Sequence, residues 1–241
     1  MAPRATLYYM PISHWCVCAE RMLAFKGVRA EIVRVPYHDK RTLLAATGQD
    51  YVPALTWDGK VVAWKDIPEF LETERPLPTL FPGNHRGVAE ALDEWGHLHV
   101  EEQVWRFVVT KAPGSFSDPV ERWVFEEIQS RVRGPWALLE QRREEFRNDL
   151  LPTLARIDRM LEGRAWILGP APSLADFGIF GGLSPLMTVG EPIPEGLPRL
   201  TAWIDRMRRI GTVAEAPPPG PAPRPKAAAK PTRPARPAKR R

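Results

Sequence analysis

Residues 53–64 read Pro-Ala-Leu-Thr-Trp-Asp-Gly-Lys-Val-Val-Ala-Trp, and no other stretch limits the fold as tightly. Two β-prone runs flank Asp58-Gly59, a pair that tolerates positive φ at both central turn positions, so the stretch predicts a type I′ hairpin. Upstream, "RATLYY" reads as a short strand. "WCVCAERMLAFKG" reads as a helix stopped at Gly27, and "RAEIVRV" alternates as a second strand. "RTLLAATG" predicts a short helix ending at Gly48. After the hairpin, "DIPEFLETER" predicts a helix with Pro68 in its first turn, where a missing N–H does no harm. Residues 1–83 therefore form an α/β unit.

From Val88 to Gly211 the pattern is helical, after a polar connection near Asn84. "VAEALDEWGHLHVEEQVWRFVVTK" carries Leu92, Trp95, Val104, Phe107 and Val108 near helical spacing, so one long helix is expected. Asp118-Pro119 is a cap followed by a first-turn proline, opening "VERWVFEEIQSRV". Gly134-Pro135 interrupts. The stretch to Gly163 predicts one or two helices, bent before Pro152, and "SLADFGIFGGLSPL" and "LPRLTAWIDRMRRI" complete an all-α unit over 88–211.

The composition matters for the remainder, 212–241. This Pro/Ala-rich stretch has too little apolar surface to offset the entropy of ordering, so a disordered basic tail is expected. Its last 26 residues hold eight Lys or Arg and no acid; taking eight from 34 leaves 26 basic against 29 acidic residues, a balance of −3. The overall +5 therefore gives no reason to read the folded part as a nucleic-acid binder. The 216–241 tail is expected to bind polyanions without sequence preference, having no aromatic to stack on bases, or to act as a solubilising tail.

Other classes find no support. No run of 18 apolar residues is present, so no membrane span is expected, and "MAPRATLYYMP" lacks the apolar stretch of a secretion signal. Two cysteines, Cys16 and Cys18, are too close to bridge without strain; a reducing cytoplasm is expected. No phosphate loop, dinucleotide turn or zinc spacing appears. His97 and His99 stand two apart on a helix and point different ways, so no metal centre is expected. Glu94, His97 and Glu101 share one face that lines either a cleft or a dimer interface.

Chemistry concentrates at the first helix. Ser13 is a plausible N-cap, and Cys16 falls in the first turn, where the positive helix end favours thiolates and anions. Two readings stand: a cap with a buried thiol, or a ligand site. The order strand, helix, strand, Val52-Pro53, hairpin, helix is thioredoxin-like. In that layout the first turn faces the residue before the proline, whose main-chain groups can pair with a peptide-like ligand.

Four stretches together carry a resemblance to the cytosolic glutathione transferase family over about residues 5–211: "LYYMPIS" with "AERMLAFKGV", "DYVPALTWDGKVVAW", "DIPEFLETERPLPTLFPG", and "LGPAPSLADFGIF". In the last, Ser173 caps a helix and Asp176 reaches back to the cap N–H. The resemblance implies a thioredoxin-like glutathione-binding domain followed by a helical-bundle domain that holds a small hydrophobic electrophile. It also implies a homodimer with glutathione as co-substrate. The group stabilising the glutathione thiolate would be Ser13, with Cys16 (through thiol exchange) and Tyr9 as alternatives. His14, Trp15, Lys40, Val52, Pro53, Ala63, Trp64 and Lys65 would line the glutathione groove, and Trp95, Trp105 and Val109 the electrophile pocket. One departure stands out. Many members place an acid and a serine ahead of the isoleucine of the third helix to hold the γ-glutamyl carboxylate, and here those positions are Ala63 and Trp64. A non-catalytic binding module on the same fold is therefore the second reading.

Overall fold

The computed structural model describes residues 5–211, so the basic tail lies outside the described residues. Four strands form one sheet in the order β2-β1-β3-β4: β1 (Ala5–Tyr9), β2 (Ala30–Arg34), β3 (Ala54–Trp57) and β4 (Lys60–Ala63). β1 runs parallel to β2 and antiparallel to β3, and β3 pairs antiparallel with β4. The registers align Ile32, Leu7, Leu55 and Val62 in one cross-strand row, all buried. Burial of that row holds the face against α1 (His14–Phe25) and α3 (Ile67–Glu74). One residue along, Tyr8 and Ala54 face the other way and meet Leu43 of α2 (Arg41–Thr47) and Val35. The period of two thus sorts two separate apolar clusters.

The punctuation follows local chemistry. Asp58 and Gly59 both take positive φ, 48° and 84°, as a type I′ turn requires. Lys26 ends α1 with its ammonium almost fully enclosed, paired with Glu72 of α3 and donating to the Arg75 carbonyl at 2.8 Å. Glu72 also accepts from Thr79 Oγ1 and Leu80 N, each at 2.7 Å, so one carboxylate ties α3 to the connection that leaves it. The Val52–Pro53 and Leu77–Pro78 peptides are cis.

The helical half comprises α4 (Arg86–Trp95), α5 (Glu101–Val108), α6 (Pro119–Arg133), α7 (Trp136–Gln141), α8 (Arg143–Met160), α9 (Leu174–Thr188) and α10 (Pro198–Arg209). The long helix expected from residue 88 onward is present as α4 and α5 joined without a break by a π turn, Gly96–Val100, which the sequence did not signal. Close packing gives the reason. A Cβ on Gly182 of α9 would sit 2.3 Å from the Gly96 carbonyl oxygen, so these two backbones touch where the turn widens. Pro152 lies inside α8.

α9 is the axle, buried from Leu174 to Leu186, and it packs on α1, α4 and α5. Its start is pinned by Asp176. That carboxylate accepts from Ser173 N and Oγ, Ile167 N and the Trp203 indole, at 2.8–2.9 Å. Burial raises the Asp176 pKa despite these donors. Among the described residues no helix is long and apolar enough to cross a membrane.

Candidate functional site

Ser13 caps α1. Its backbone is extended (φ −82°, ψ 116°), and its Oγ accepts the Cys16 N–H at 3.4 Å. The Ser13 and Cys16 side chains also hydrogen-bond each other, so the hydroxyl is shared between the thiol beneath it and a cavity. Ser13 lines this cavity, of about 440 Å³, together with His14, Lys40, Val52, Glu101 and Trp105. Val52 precedes Pro53, and its main-chain N–H and C=O make no hydrogen bond among the described residues. Tyr37, Gln129 and Arg133 close the far wall.

Three of the cavity's titratable groups are displaced from their ordinary values, the Tyr37 phenol being raised chiefly by burial. Burial, with His97 and Arg133 nearby, pushes His14 well below the usual imidazole range, so it is a neutral donor-acceptor. Its Nδ1 lies 3.6 Å from Glu101 Oε1. Burial pushes the Glu101 carboxyl up to about 7, Arg133 opposes this and Glu102 adds to it. The ion pair with Arg133 does not win because the guanidinium stands 3.9 Å from Glu101 and is engaged by Glu102 and, at 2.9 Å, by Gln129.

The other two thiolate-stabilising candidates do not reach the cavity. Cys16 is 0% exposed, and burial pushes its thiol up to about 12 although Ser13 and the Met10 N–H (3.4 Å) pull the other way. It stays a protonated core residue, which removes the condition for thiol exchange. Tyr9 ends β1, packs against the main core, and its carbonyl accepts from Val35 N at 2.8 Å. Ser13 is the one of the three at the cavity wall.

A second cavity, about 250 Å³, lies across the start of α1. Trp15 divides the two regions. Its ring stacks on His97 (centroids 3.4 Å, 14°) and tilts against Trp64 (4.2 Å, 54°). Pro53, Trp64 and Lys65 line this second cavity, with Cys18, Met22, Asp93 and His97 behind them. Ala63 lines neither; it precedes the 3₁₀ turn Trp64–Asp66, which has no side-chain cap. The expected groove residues are thus distributed between two adjoining hollows, with Trp64 outside the one that holds Ser13 and Val52.

Two expected pocket residues stand elsewhere. Val109 is fully buried in the core, because it follows α5 on the side that meets the other helices. Trp95 is half-buried and stacks on His99 (5.9 Å, 21°). Trp105 alone of the three lines the Ser13 cavity. Sequence reasoning missed Tyr37, Gln129 and Arg133. Their only signal was position: Arg133 ends its helix just before the Gly134-Pro135 break, and nothing in the spacing aims it at Ser13.

Comparison with known proteins follows the same lines. A family model described as glutathione S-transferase, N-terminal domain, matches residues 7–76, and one described as glutathione S-transferase, C-terminal domain, matches residues 140–206. No curated protein sequence matches the chain. Among solved structures, a glutathione transferase from Phanerochaete chrysosporium is 18% identical, with a TM-score of 0.76 over 89% of this chain and 100% of its own. Glutaredoxin 2 from Salmonella typhimurium, solved in complex with glutathione, is 18% identical, with a TM-score of 0.72 over 87% of this chain and 95% of its own. The β-etherase LigF from Sphingobium sp. is 22% identical, with a TM-score of 0.62 over 84% of this chain and 94% of its own. At these identities the likeness speaks for the fold alone.

Proposed function

The chain belongs to the glutathione S-transferase family, and from that premise we propose that it binds glutathione along Val52 and uses Ser13 to stabilise the glutathione thiolate for attack on a second substrate. The observation that carries this reading is the shared cavity: the Ser13 hydroxyl at a helix N-terminus and the unpaired main chain of Val52 face one space of about 440 Å³. The Val52 N–H and C=O supply the pairing edge for the peptide part of the ligand. The Ser13 O–H donates to the sulfur, and the positive end of α1 favours the anion. The thiolate then forms a bond to an electrophilic centre, whose leaving group departs with the electron pair. In the exchange variant it attacks a disulfide sulfur, forming a new disulfide as the original S–S bond breaks and the other sulfur leaves as a thiolate. Lys40 meets the glycyl carboxylate, and the γ-glutamyl end reaches past Trp15 into the adjoining hollow, to the main-chain N–H groups at the Trp64–Asp66 turn and Lys65.

The second substrate enters against Trp105, Glu101, Gln129 and Arg133. That wall is more polar than a purely hydrophobic electrophile needs, so an electrophile carrying a hydrogen-bonding or anionic group fits it better. Homodimerisation and a reducing compartment, in keeping with two free buried cysteines, complete the reading.

One observation favours the binding-module alternative. Trp64, at the position where many relatives carry a serine, is locked against Trp15. Calorimetry with millimolar glutathione separates the two, followed by turnover with a chloronitroaromatic and with a mixed disulfide. Micromolar to millimolar binding plus Ser13-dependent turnover upholds the transferase. Absence of any binding heat or thermal shift sinks it and leaves the module.

A further inference from the structure

The second cavity holds a cluster that the transferase chemistry leaves unused. Cys18 from α1 and Asp93 and His97 from α4 and its π turn present one sulfur, one oxygen and one nitrogen, all within 4.8 Å of one another. His97 is enclosed, with 1% of its side chain exposed, and Cys18 is 2% exposed. His97 Nε2 faces Asp93 Oδ1 at 3.4 Å, yet Asp93 Oδ1 has no hydrogen-bond partner, and neither does His97 Nδ1. Buried polar atoms left without partners are rare and call for an explanation.

We propose that Cys18, Asp93 and His97 form a three-ligand site for a divalent transition-metal ion of the zinc class at the base of the second cavity. Geometry and donor chemistry agree. Metal–nitrogen and metal–oxygen bonds of about 2.0–2.2 Å at a tetrahedral angle put the two donor atoms about 3.4 Å apart, which is the separation seen here. Asp93 and His97 stand four apart, so they project from the same helical face, and Cys18 approaches from the facing helix. Its sulfur lies within 4.8 Å of both other donors, near enough for a side-chain adjustment to bring it to a metal–sulfur distance of about 2.3 Å. A thiolate, an imidazole and a carboxylate suit zinc or cobalt; magnesium and calcium prefer all-oxygen sets. On binding, the ion takes the place of the Cys18 thiol proton, which leaves to solvent. The fourth position opens to the cavity beneath Trp15 and Trp64, where a water or a small ligand completes the shell.

The position of the cluster explains two further features. Asp93 is pressed by α9: a Cβ on Gly178 would come within 2.3 Å of Asp93 Oδ1, so the carboxylate has one place to stand. Trp15 stacked on His97 fixes the imidazole plane. The three donors are none of the residues assigned to glutathione, although they share a cavity with Trp64 and Lys65, so the site is tested with glutathione absent.

The test uses the full chain, reduced, tag-free, stripped with chelator and free of glutathione. Titration with cobalt(II) is expected to give a sulfur-to-cobalt charge-transfer band in the near ultraviolet and intense tetrahedral visible bands, saturating at one equivalent. Cys18→Ser should abolish the charge-transfer band while Cys16→Ser keeps it. Asp93→Asn and His97→Gln should each weaken binding about tenfold or more. Because a core variant can fail to fold, X-ray absorption on the zinc-loaded wild type provides a second measurement, with one sulfur at about 2.3 Å and nitrogen or oxygen neighbours at about 2.0–2.1 Å expected. No charge-transfer band at millimolar cobalt, a band that survives Cys18→Ser or is lost in Cys16→Ser, or a zinc shell without sulfur would each overturn the proposal.

Discussion

The two cavities flanking the start of α1 are neighbours of unlike character. The Ser13 cavity is walled by charge and by unpaired main chain, from Lys40, Val52, Glu101 and Arg133. The other is walled by stacked aromatic rings with three buried donor atoms behind them. The start of α1 supplies both, because its residues point different ways: the cap Ser13 and His14 to one side, Trp15 and Cys18 to the other. The lesson is that a single capped helix can serve two separate chemistries when its neighbours on each side differ.

The largest expected effect breaks both cavities at once. Asp176→Ala strands the Ser173 N–H and hydroxyl, the Ile167 N–H and the Trp203 indole inside the core. We expect a loss of about 4 kcal/mol in denaturant unfolding. Next, Ser13→Ala should lower kcat/KM for glutathione-dependent turnover about a hundredfold with the fold intact, the scale for removing one donor from a developing anion. If turnover is unchanged, the charged cavity loses its chemical distinction from the aromatic one. Ala63→Glu with Trp64→Ser unstacks Trp15 and restores a polar γ-glutamyl site. Glutathione affinity by calorimetry should rise ten- to a hundredfold, the worth of a charge-assisted bond of about 1.5–3 kcal/mol.

The smallest expected effect concerns pH. Glu101 has its pKa raised from 4.5 to about 7, chiefly by burial. The stability this group contributes is therefore full below its unfolded value and is lost as pH rises through about 7. Glu101→Gln should flatten that decline by about 1 kcal/mol after allowance for solvent, seen as a Tm that falls less between mildly acidic and mildly basic buffer. An unchanged slope would mean the charged wall is better hydrated than its burial suggests.

Much of the frame was legible in the sequence because its signals are local. Asp58-Gly59 dictates a turn, alternation in β1 and β2 sorts two faces, and Ser173 with Asp176 marks a helix start. The site was half legible. Ser13, Lys40, Val52 and Trp105 could be placed by order along the chain. Arg133, Gln129 and Tyr37 could not, because they reach the Ser13 cavity only through tertiary packing, with Glu121 of α6 holding Arg34 and the Tyr37 N–H. Cys18 was passed over because its partners lie 75 and 79 residues away in the chain, on a helix whose own pattern spoke only of burial. Trp64 was placed in one glutathione groove with Ser13 and Val52, whereas it stands, tilted against Trp15, at the wall of the adjoining hollow.

The π turn between α4 and α5 sets how that rod is used. One surplus residue delays the helical phase by about 100°, the rotation of a single residue. Like an offset lobe on a camshaft, it lets one continuous length of chain turn Asp93 and His97 toward Trp15 and then swing Glu101 round to the Ser13 side. Deleting a residue there would leave every side chain in place chemically while misaddressing those of α5.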